Sequence, residues 1–213
     1  MNNQEGWKVV GKAKHRKLKN SNPSDESNGS DTIDNQPVFI ETTDVNVIKQ
    51  DIGDTINLPS EYNLWCHDIY NKDWSLTGYT KLCKISTVAD FWKVFNNLDK
   101  LGYKFNNLFF MKGDTDPTWE HVNNRDGGIC SFKVDLGKSL HSYEELCSHM
   151  VCNVLSSMPD DINGISYSPK STWAIIKIWN KNKNNDLTKS LTPYVMQQYQ
   201  DCCMRYKQNE PEY

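Results

Sequence analysis

Hydrophobic residues recur with regular spacing only from Leu58 onward, and the first 55 residues lack such a pattern. Residues 1–20 are basic, whereas residues 21–54 are acidic and rich in serine, asparagine and aspartate. A segment of this composition buries too little apolar surface to offset the conformational entropy lost on folding. The sequence therefore predicts a disordered tail over residues 1–55 and one folded domain over residues 56–213.

The folded part contains both of the periodicities that define regular secondary structure. Apolar residues at three-and-four spacing predict helices over Thr87–Leu101, with Thr87 as the N-cap, and over Ser142–Leu155. Shorter apolar runs predict strands at Tyr62–Tyr70, Lys81–Ile85, Leu108–Met111, Gly128–Val134, Ile162–Ser168, Ser171–Trp179 and Val195–Tyr199. This order predicts an α+β domain, with one mostly antiparallel β-sheet and helices packed on one face.

Charge and cysteine content restrict the classes of protein. A formal net charge of −3 argues against a protein that coats nucleic acid through bulk charge, so any nucleic-acid site must be local. The seven cysteines include no Cys-x-x-Cys pair, and no apolar stretch resembles a signal peptide or a membrane span. We therefore expect a cytoplasmic protein with free thiols, without a metal site and without a membrane partner.

Enzyme motifs are missing from the sequence. It has no glycine-rich phosphate loop, no Gly-x-Ser-x-Gly and no His-Glu-x-x-His. A thiol nucleophile assembled from Cys66 or Cys130 with His121 remains open, although no motif singles these residues out. We expect a protein that is not an enzyme and that uses no cofactor.

Two tryptophans stand in polar segments between predicted strands. Trp74 lies in Asn71–Ser75, and Trp119 lies in Pro117–Glu120, where a carboxylate follows it directly. A purine methylated at N7 is cationic, and it gains stacking and cation–π energy between two indoles. The adjacent carboxylate can accept hydrogen bonds from N1–H and the exocyclic amine of guanine. A single tryptophan of this kind is more often a rim or core residue, and it is the pair together with Glu120 that favours a binding site.

The order and spacing of the tryptophan motifs give the region from Leu58 to Tyr199 a resemblance to a known family. The motifs are Leu64-Trp65, Trp74, Thr87-Val88-Ala89-Asp90-Phe91-Trp92, Pro117-Thr118-Trp119-Glu120, Gly127-Gly128, Gly164, Ile176-Lys177-Ile178-Trp179 and Tyr199-Gln200. The region resembles the eukaryotic translation initiation factor 4E family, which binds the 7-methylguanosine cap of messenger RNA. The resemblance implies a curved antiparallel sheet with the cap pocket on its concave face and helices on its convex face.

The resemblance also implies roles for individual residues in the cap pocket. Trp74 and Trp119 would stack on the base, and Glu120 would accept from its edge while the Trp119 N–H meets O6. Trp179 would contact the N7-methyl group. Lys170 falls where the family has a basic residue for the triphosphate.

On the opposite face the resemblance implies a partner site. Trp92 would be its exposed anchor, with Val88, Val151 and Pro59 nearby. The implied partner is a scaffold initiation factor, or a repressor, carrying a Tyr-x4-Leu-hydrophobic peptide. A position for Trp92 in the core, on the apolar stripe of its helix, is the alternative.

Several positions depart from the family pattern. Ile175 and Ile129 stand where the family has a lysine and an arginine, and Ser148 stands where it has a glutamate that contacts partners. The segment from Trp179 to Tyr199 is expected to be too short for the family's third helix. Cys202 to Tyr213 replaces the usual terminal loop of the cap side.

Two basic residues that the family has at the triphosphate are replaced here by isoleucines. This suggests that another basic residue on the strand of Ile175 takes over their role. Lys177 shares a strand face with Trp179 and Trp173. We therefore expect Lys177 and Lys170 to neutralise the triphosphate, and Trp173 to stack on the following nucleotide. The alternative is a solvated Lys177, with Trp173 packed against a loop.

Three functions follow as hypotheses. The first is a factor that binds capped messenger RNA and recruits a scaffold protein to start translation. The second is a cap-binding repressor or decoy that does not recruit the scaffold. The third is an unrelated RNA-binding or thiol-dependent protein that mimics the motifs.

Overall fold

The computed structural model describes residues 56–210, which form a seven-stranded sheet with helices. Its strands are β1 (Asn57–Asp68), β2 (Thr80–Thr87), β3 (Asn106–Lys112), β4 (Gly128–Asp135), β5 (Ile162–Pro169), β6 (Trp173–Asn180) and β7 (Arg205–Gln208). Its α-helices are α1 (Val88–Phe95), α2 (Leu136–Val151), α3 (Leu187–Ser190) and α4 (Pro193–Gln198). The predicted tail, residues 1–55, lies outside the described residues.

The strands follow the order β2-β1-β3-β5-β6-β4-β7, and each neighbouring pair is antiparallel. This arrangement confirms the predicted α+β class and its curved antiparallel sheet. The strands β4 and β6 therefore lie side by side, with β7 at one edge of the sheet and β2 at the other.

Alternating side chains give the two faces of the sheet different contents. In β6, Ala174, Ile176 and Ile178 are buried in the main core, which also contains the apolar residues of all four helices. Trp179, the next residue after Ile178, belongs instead to a smaller apolar cluster with Phe109 and Met111. Because successive strand residues point to opposite faces, this smaller cluster lies on the face away from the helices.

The first helix begins where its sequence predicts but ends earlier. Thr87 accepts a hydrogen bond from the Asp90 N–H, and the Asp90 carboxylate accepts from the Thr87 N–H, which forms a capping box. The single helix expected over Thr87–Leu101 stops at Phe95, and a separate 3₁₀ turn covers Leu98–Leu101. The second helix begins at Leu136, six residues before the predicted Ser142, because Asp135 caps it directly after β4.

The C-terminal region differs most from expectation. The predicted strand Val195–Tyr199 is wrong, because these residues lie in or directly after α4, which has Pro193 in its first turn. Val195 and Tyr199 are four residues apart and both buried, which is the spacing of one helix face. The segment between Trp179 and Tyr199 contains the short helices α3 and α4, of four and six residues, where the sequence predicted no helix. The sequence did not predict β7.

The described residues, 56–210, contain no helix that is long and apolar enough to cross a membrane. Within the same range, no group of three His, Cys, Asp or Glu side chains could hold a metal ion.

Candidate functional site

A cavity of about 520 Å³ opens on the sheet face that carries the smaller apolar cluster. Its walls come from the β1–β2 loop, the β3–β4 loop and the strands β4, β6 and β7. The volume is within the range of pockets that hold small ligands. The structure brings five of the predicted site residues to these walls, namely Trp74, Trp119, Glu120, Lys177 and Trp179.

The loop that carries Trp119 is held by a buried asparagine. The Asn124 side-chain amide donates to the backbone carbonyls of Asp116 and Thr118, at 2.9 and 2.7 Å. Its Oδ1 accepts from Asn163 Nδ2 on β5 at 2.9 Å. These bonds fix the backbone directly before Trp119, whose side chain is 37% exposed.

Trp74 is supported on one side by a histidine. Its indole stacks on the buried His67 ring, with centroids 4.1 Å apart and planes inclined by 12°. His67 Nε2 lies 2.8 Å from the Asp73 carbonyl oxygen. Hydrogen bonds from Ser75 and Thr77 hold the Asp73 carboxylate and lower its pKa, so the turn is braced on both sides of the tryptophan. The Trp74 side chain remains 54% exposed.

Tyr79 packs in the cavity wall. Its ring lies 4.8 Å from that of His67 and 5.2 Å from that of Phe109, measured between centroids. Burial raises the pKa of Tyr79 to about 12, with smaller contributions from the carboxylates of Glu120 and Asp73. Tyr79 and Glu120 both line the cavity.

Trp179 forms part of the inner wall. Only 5% of its surface is exposed, and its indole N–H donates to Ser166 Oγ at 2.9 Å. A hydrogen bond of this kind fixes the ring orientation of a buried tryptophan.

Two lysines line the cavity. One is Lys177, whose pKa is lowered by burial and, to a lesser degree, by the neighbouring charge of Lys170. The other is Lys207 of β7. An anionic ligand would stabilise the protonated form of a buried lysine of this kind, because an opposite charge nearby favours the charged form.

Comparison with known proteins identifies the family. A sequence model described as eukaryotic initiation factor 4E matches residues 57–212. The chain belongs to this family. Eukaryotic translation initiation factor 4E of Dictyostelium discoideum is 29% identical over 136 residues, which cover 61% of this chain and 54% of that protein. The chain thus matches about half the length of this relative.

Solved structures share the fold. Caenorhabditis elegans eIF4E-3, in complex with the 4E-binding protein Mextli and a cap analog, has a TM-score of 0.61 and 21% identity, covering 71% of this chain and 91% of that one. Ascaris suum eIF4E-3 in complex with an m7G cap has a TM-score of 0.61 and 20% identity, covering 74% of this chain and 93% of that one.

The strand register places a lysine beside one position that departs from the family pattern. Ile129, where the family has an arginine, pairs directly with Lys207 of β7. Directly paired residues of an antiparallel sheet share a face, so Lys207 brings a positive charge beside this position. Sequence reasoning missed Lys207, because it did not predict β7.

The remaining predicted cap residues lie beyond the cavity. Lys170 follows β5 and is exposed, and Trp173 begins β6 and is half-buried. The ammonium of Lys133 lies 4.4 Å from the centroid of the Trp173 ring. This cation–π contact keeps a positive charge next to the indole.

On the helix face, Trp92 is 42% exposed whereas the adjacent Phe91 is 2% exposed. Val88 N–H donates to the Ile56 carbonyl at 2.9 Å, which joins the start of α1 to the start of β1, where Pro59 is exposed. Val151 is buried in the main core instead.

The thiols of the alternative nucleophile are poorly suited to that role. Burial raises the pKa of Cys130 to about 12 and also raises that of Cys66. A nucleophilic cysteine needs the opposite shift, because the thiolate is the reactive form.

Proposed function

We propose that this chain binds the 7-methylguanosine cap of messenger RNA and recruits a scaffold initiation factor to start translation in the cytoplasm. The observation that carries the proposal is that Trp74, Trp119, Glu120 and Lys177 line one cavity. A ligand with a cationic aromatic base and an anionic tail matches this distribution of chemistry. The proposed role is binding, with no catalytic step.

Trp74 and Trp119 would stack on the two faces of the methylated base. The support of Trp74 by His67 favours this role, since a ring held from one side keeps its other side for a ligand. Each base–aromatic stack contributes about 1–3 kcal/mol, and the positive charge on the base adds cation–π attraction.

Glu120 would accept hydrogen bonds from N1–H and the exocyclic amine of the base, and the Trp119 backbone N–H would donate to O6. Trp179 would contact the N7-methyl group. This assignment is supported by the position of Glu120 and Trp179 in the lining of the same cavity as the two tryptophans.

Lys177 and Lys170 would neutralise the triphosphate, and Trp173 would stack on the following nucleotide. A shared anion site is supported by the position of Lys177 in the cavity lining and by the charge of Lys170, which contributes to the lowered pKa of Lys177.

Titration of tryptophan fluorescence with 7-methylguanosine triphosphate tests the proposal. We expect saturable quenching, and losses of about 1–3 kcal/mol in binding for each of Trp74→Ala, Trp119→Ala and Glu120→Ala. Trp92→Ala is the matched control, because it removes an exposed tryptophan from the helix face. Parent-like affinity in both pocket tryptophan variants would disprove cap binding.

Recruitment is supported by the exposure of Trp92 beside the buried Phe91 at an accessible helix start. A large exposed aromatic side chain is a typical anchor for an amphipathic partner helix. The second candidate function is a cap-binding repressor or decoy, which would use the same pocket but would not bind a scaffold through Trp92. Binding of a Tyr-x4-Leu-hydrophobic scaffold peptide supports recruitment, and its failure alongside normal cap binding favours the repressor.

A further inference from the structure

The register of β4, β6 and β7 places a series of basic residues along the sheet, beginning at the cavity. At the cavity, Lys207 and Trp179 flank Ile129 in one row of directly paired residues. Two residues further along β4, Arg205 and Lys177 flank Ser131 in the same manner. Directly paired residues share a face, so both rows face the cavity side.

A third row extends this pattern. Lys133 lies two residues beyond Ser131 on β4 and pairs with Ile175, which pairs in turn with the cavity-lining Ser168. The Lys133 ammonium lies over the Trp173 ring at 4.4 Å, and the Lys170 N–H donates to the Trp173 carbonyl at 2.7 Å. Basic side chains therefore continue to the far end of β6.

We name as the cationic strip the five residues Lys207, Arg205, Lys177, Lys133 and Lys170, with Trp173 at its end. Successive rows are about 6.5–7 Å apart, so the strip extends roughly 20 Å from the cavity. Glu120 and Glu210 line the cavity at one end of the strip, and Asp135 pairs with Trp173 at the other end. The Asp135 carboxylate already accepts from the Gly137 N–H to cap α2.

We propose that the cationic strip binds the backbone of the single-stranded RNA that follows the cap. This inference rests on the proposed function, because the strip begins at the cavity and its use requires a ligand anchored there. A basic groove with aromatic side chains is the common design of sites for single-stranded nucleic acid. The net charge of −3 makes such a strip a local feature and not part of a basic surface.

The inference assigns the strip two kinds of contact. Lys133 is exposed one row beyond Lys177, and Arg205 is exposed in the row of Lys177 but two strands away from it, across Ser131. Both would pair with phosphates of the first nucleotides after the cap. Trp173 would offer its ring to a base, with Lys133 already held against the indole. 7-Methylguanosine triphosphate has no following nucleotide and can make neither contact. Comparing ligands of different length therefore distinguishes binding at the strip from binding in the pocket.

The test compares 7-methylguanosine triphosphate, a capped dinucleotide, a capped pentanucleotide and the same pentanucleotide without a cap. Each is titrated against the parent chain, the double variant Lys133→Ala/Arg205→Ala and the charge-matched control Lys138→Ala/Lys189→Ala. The control lysines are exposed on α2 and α3, whose apolar residues pack on the opposite face.

We expect the parent to bind the capped pentanucleotide about tenfold more tightly than 7-methylguanosine triphosphate. The strip variant should lose this gain while its affinity for the triphosphate stays within about twofold, and the control should keep both. The slope of log affinity against log salt for the pentanucleotide should fall by about 0.7 for each phosphate contact removed.

Equal affinity of the parent for the triphosphate and the pentanucleotide would overturn the inference while leaving cap binding intact. An equal loss in the control variant would overturn it too, because bulk charge would then explain the gain. Failure of every capped ligand to bind would instead reject the proposed function, and the strip with it.

Discussion

The side-chain amide of Asn209 donates a 2.7 Å hydrogen bond to the backbone carbonyl of Asn124. Asn124 in turn holds the carbonyls of Asp116 and Thr118, directly before Trp119. The residue that follows β7 thus reaches the loop that carries one of the two cavity tryptophans. The C-terminal part of the chain contributes to the site through this bond as well as through the charge of Lys207.

Asn124→Ala tests this support. The substitution leaves two backbone carbonyls without their donor, so we expect a loss of about 1–3 kcal/mol in the free energy of unfolding. Affinity for 7-methylguanosine triphosphate should fall several-fold, because the Trp119 loop is no longer fixed. Urea unfolding and fluorescence titration measure the two effects.

Asn184→Ala, at an exposed loop position, is the matched control and should change neither quantity. Reduced stability of Asn124→Ala with parent-like affinity would mean that Asn124 supports the fold without positioning Trp119.

Trp92→Ala should abolish binding of a Tyr-x4-Leu-hydrophobic peptide and leave cap affinity within about twofold. The reason is that Trp92 is exposed on α1, whereas the cavity lies on the other face of the sheet. Isothermal titration with the peptide and fluorescence titration with the cap analogue provide the measurements. Loss of cap affinity together with loss of the folded state would show that Trp92 stabilises the core.

Deletion of residues 1–55 should leave the affinity for a short cap analogue unchanged, because that segment lacks a hydrophobic pattern. Its basic first 20 residues should add only weak attraction to longer RNA, which added salt removes. Titration of the truncated and full-length chains at two salt concentrations checks both statements. A tenfold weaker affinity of the truncated chain for the short analogue would contradict them.

The regular parts of the fold followed from local patterns in the sequence. The alternation in β6 predicted which side chains face the core, and the Thr87 cap predicted the start of α1. Pairing between distant strands could not be predicted in this way. The direct pairing of Ile129 with Lys207 depends on β7, whose four mostly polar residues show no apolar alternation.

The candidate site was predictable where the chemistry of the side chains is specific. Trp74, Trp119 and Glu120 stand out in polar segments, and they line one cavity. His67 and Asn124 were missed, because a buried polar residue acts through partners that only the tertiary structure brings near. Tyr79 was missed for the same reason.

Tyr79→Phe tests the burial of the Tyr79 hydroxyl in the cavity wall through the pH dependence of stability. The pKa of Tyr79 is raised to about 12, from about 10 in the unfolded chain, by burial and by Glu120. Between these two values the unfolded chain has released a proton that the folded chain retains. The free energy of unfolding therefore falls as the pH rises from 10 to 12, by at most about 1.4 kcal/mol per pH unit for this group.

Phenylalanine does not titrate, so the stability of Tyr79→Phe should fall less steeply than that of the parent over this interval. Below pH 9 the pH dependence of the two proteins should be parallel, since tyrosine is neutral there in both states. Urea unfolding at pH 8, 9, 10 and 11 measures the difference, and Tyr70→Phe serves as the control because Tyr70 is exposed. Parallel curves above pH 10 would show that Tyr79 ionises as freely in the folded protein as in the unfolded chain, which would mean that its hydroxyl is not buried in the cavity wall.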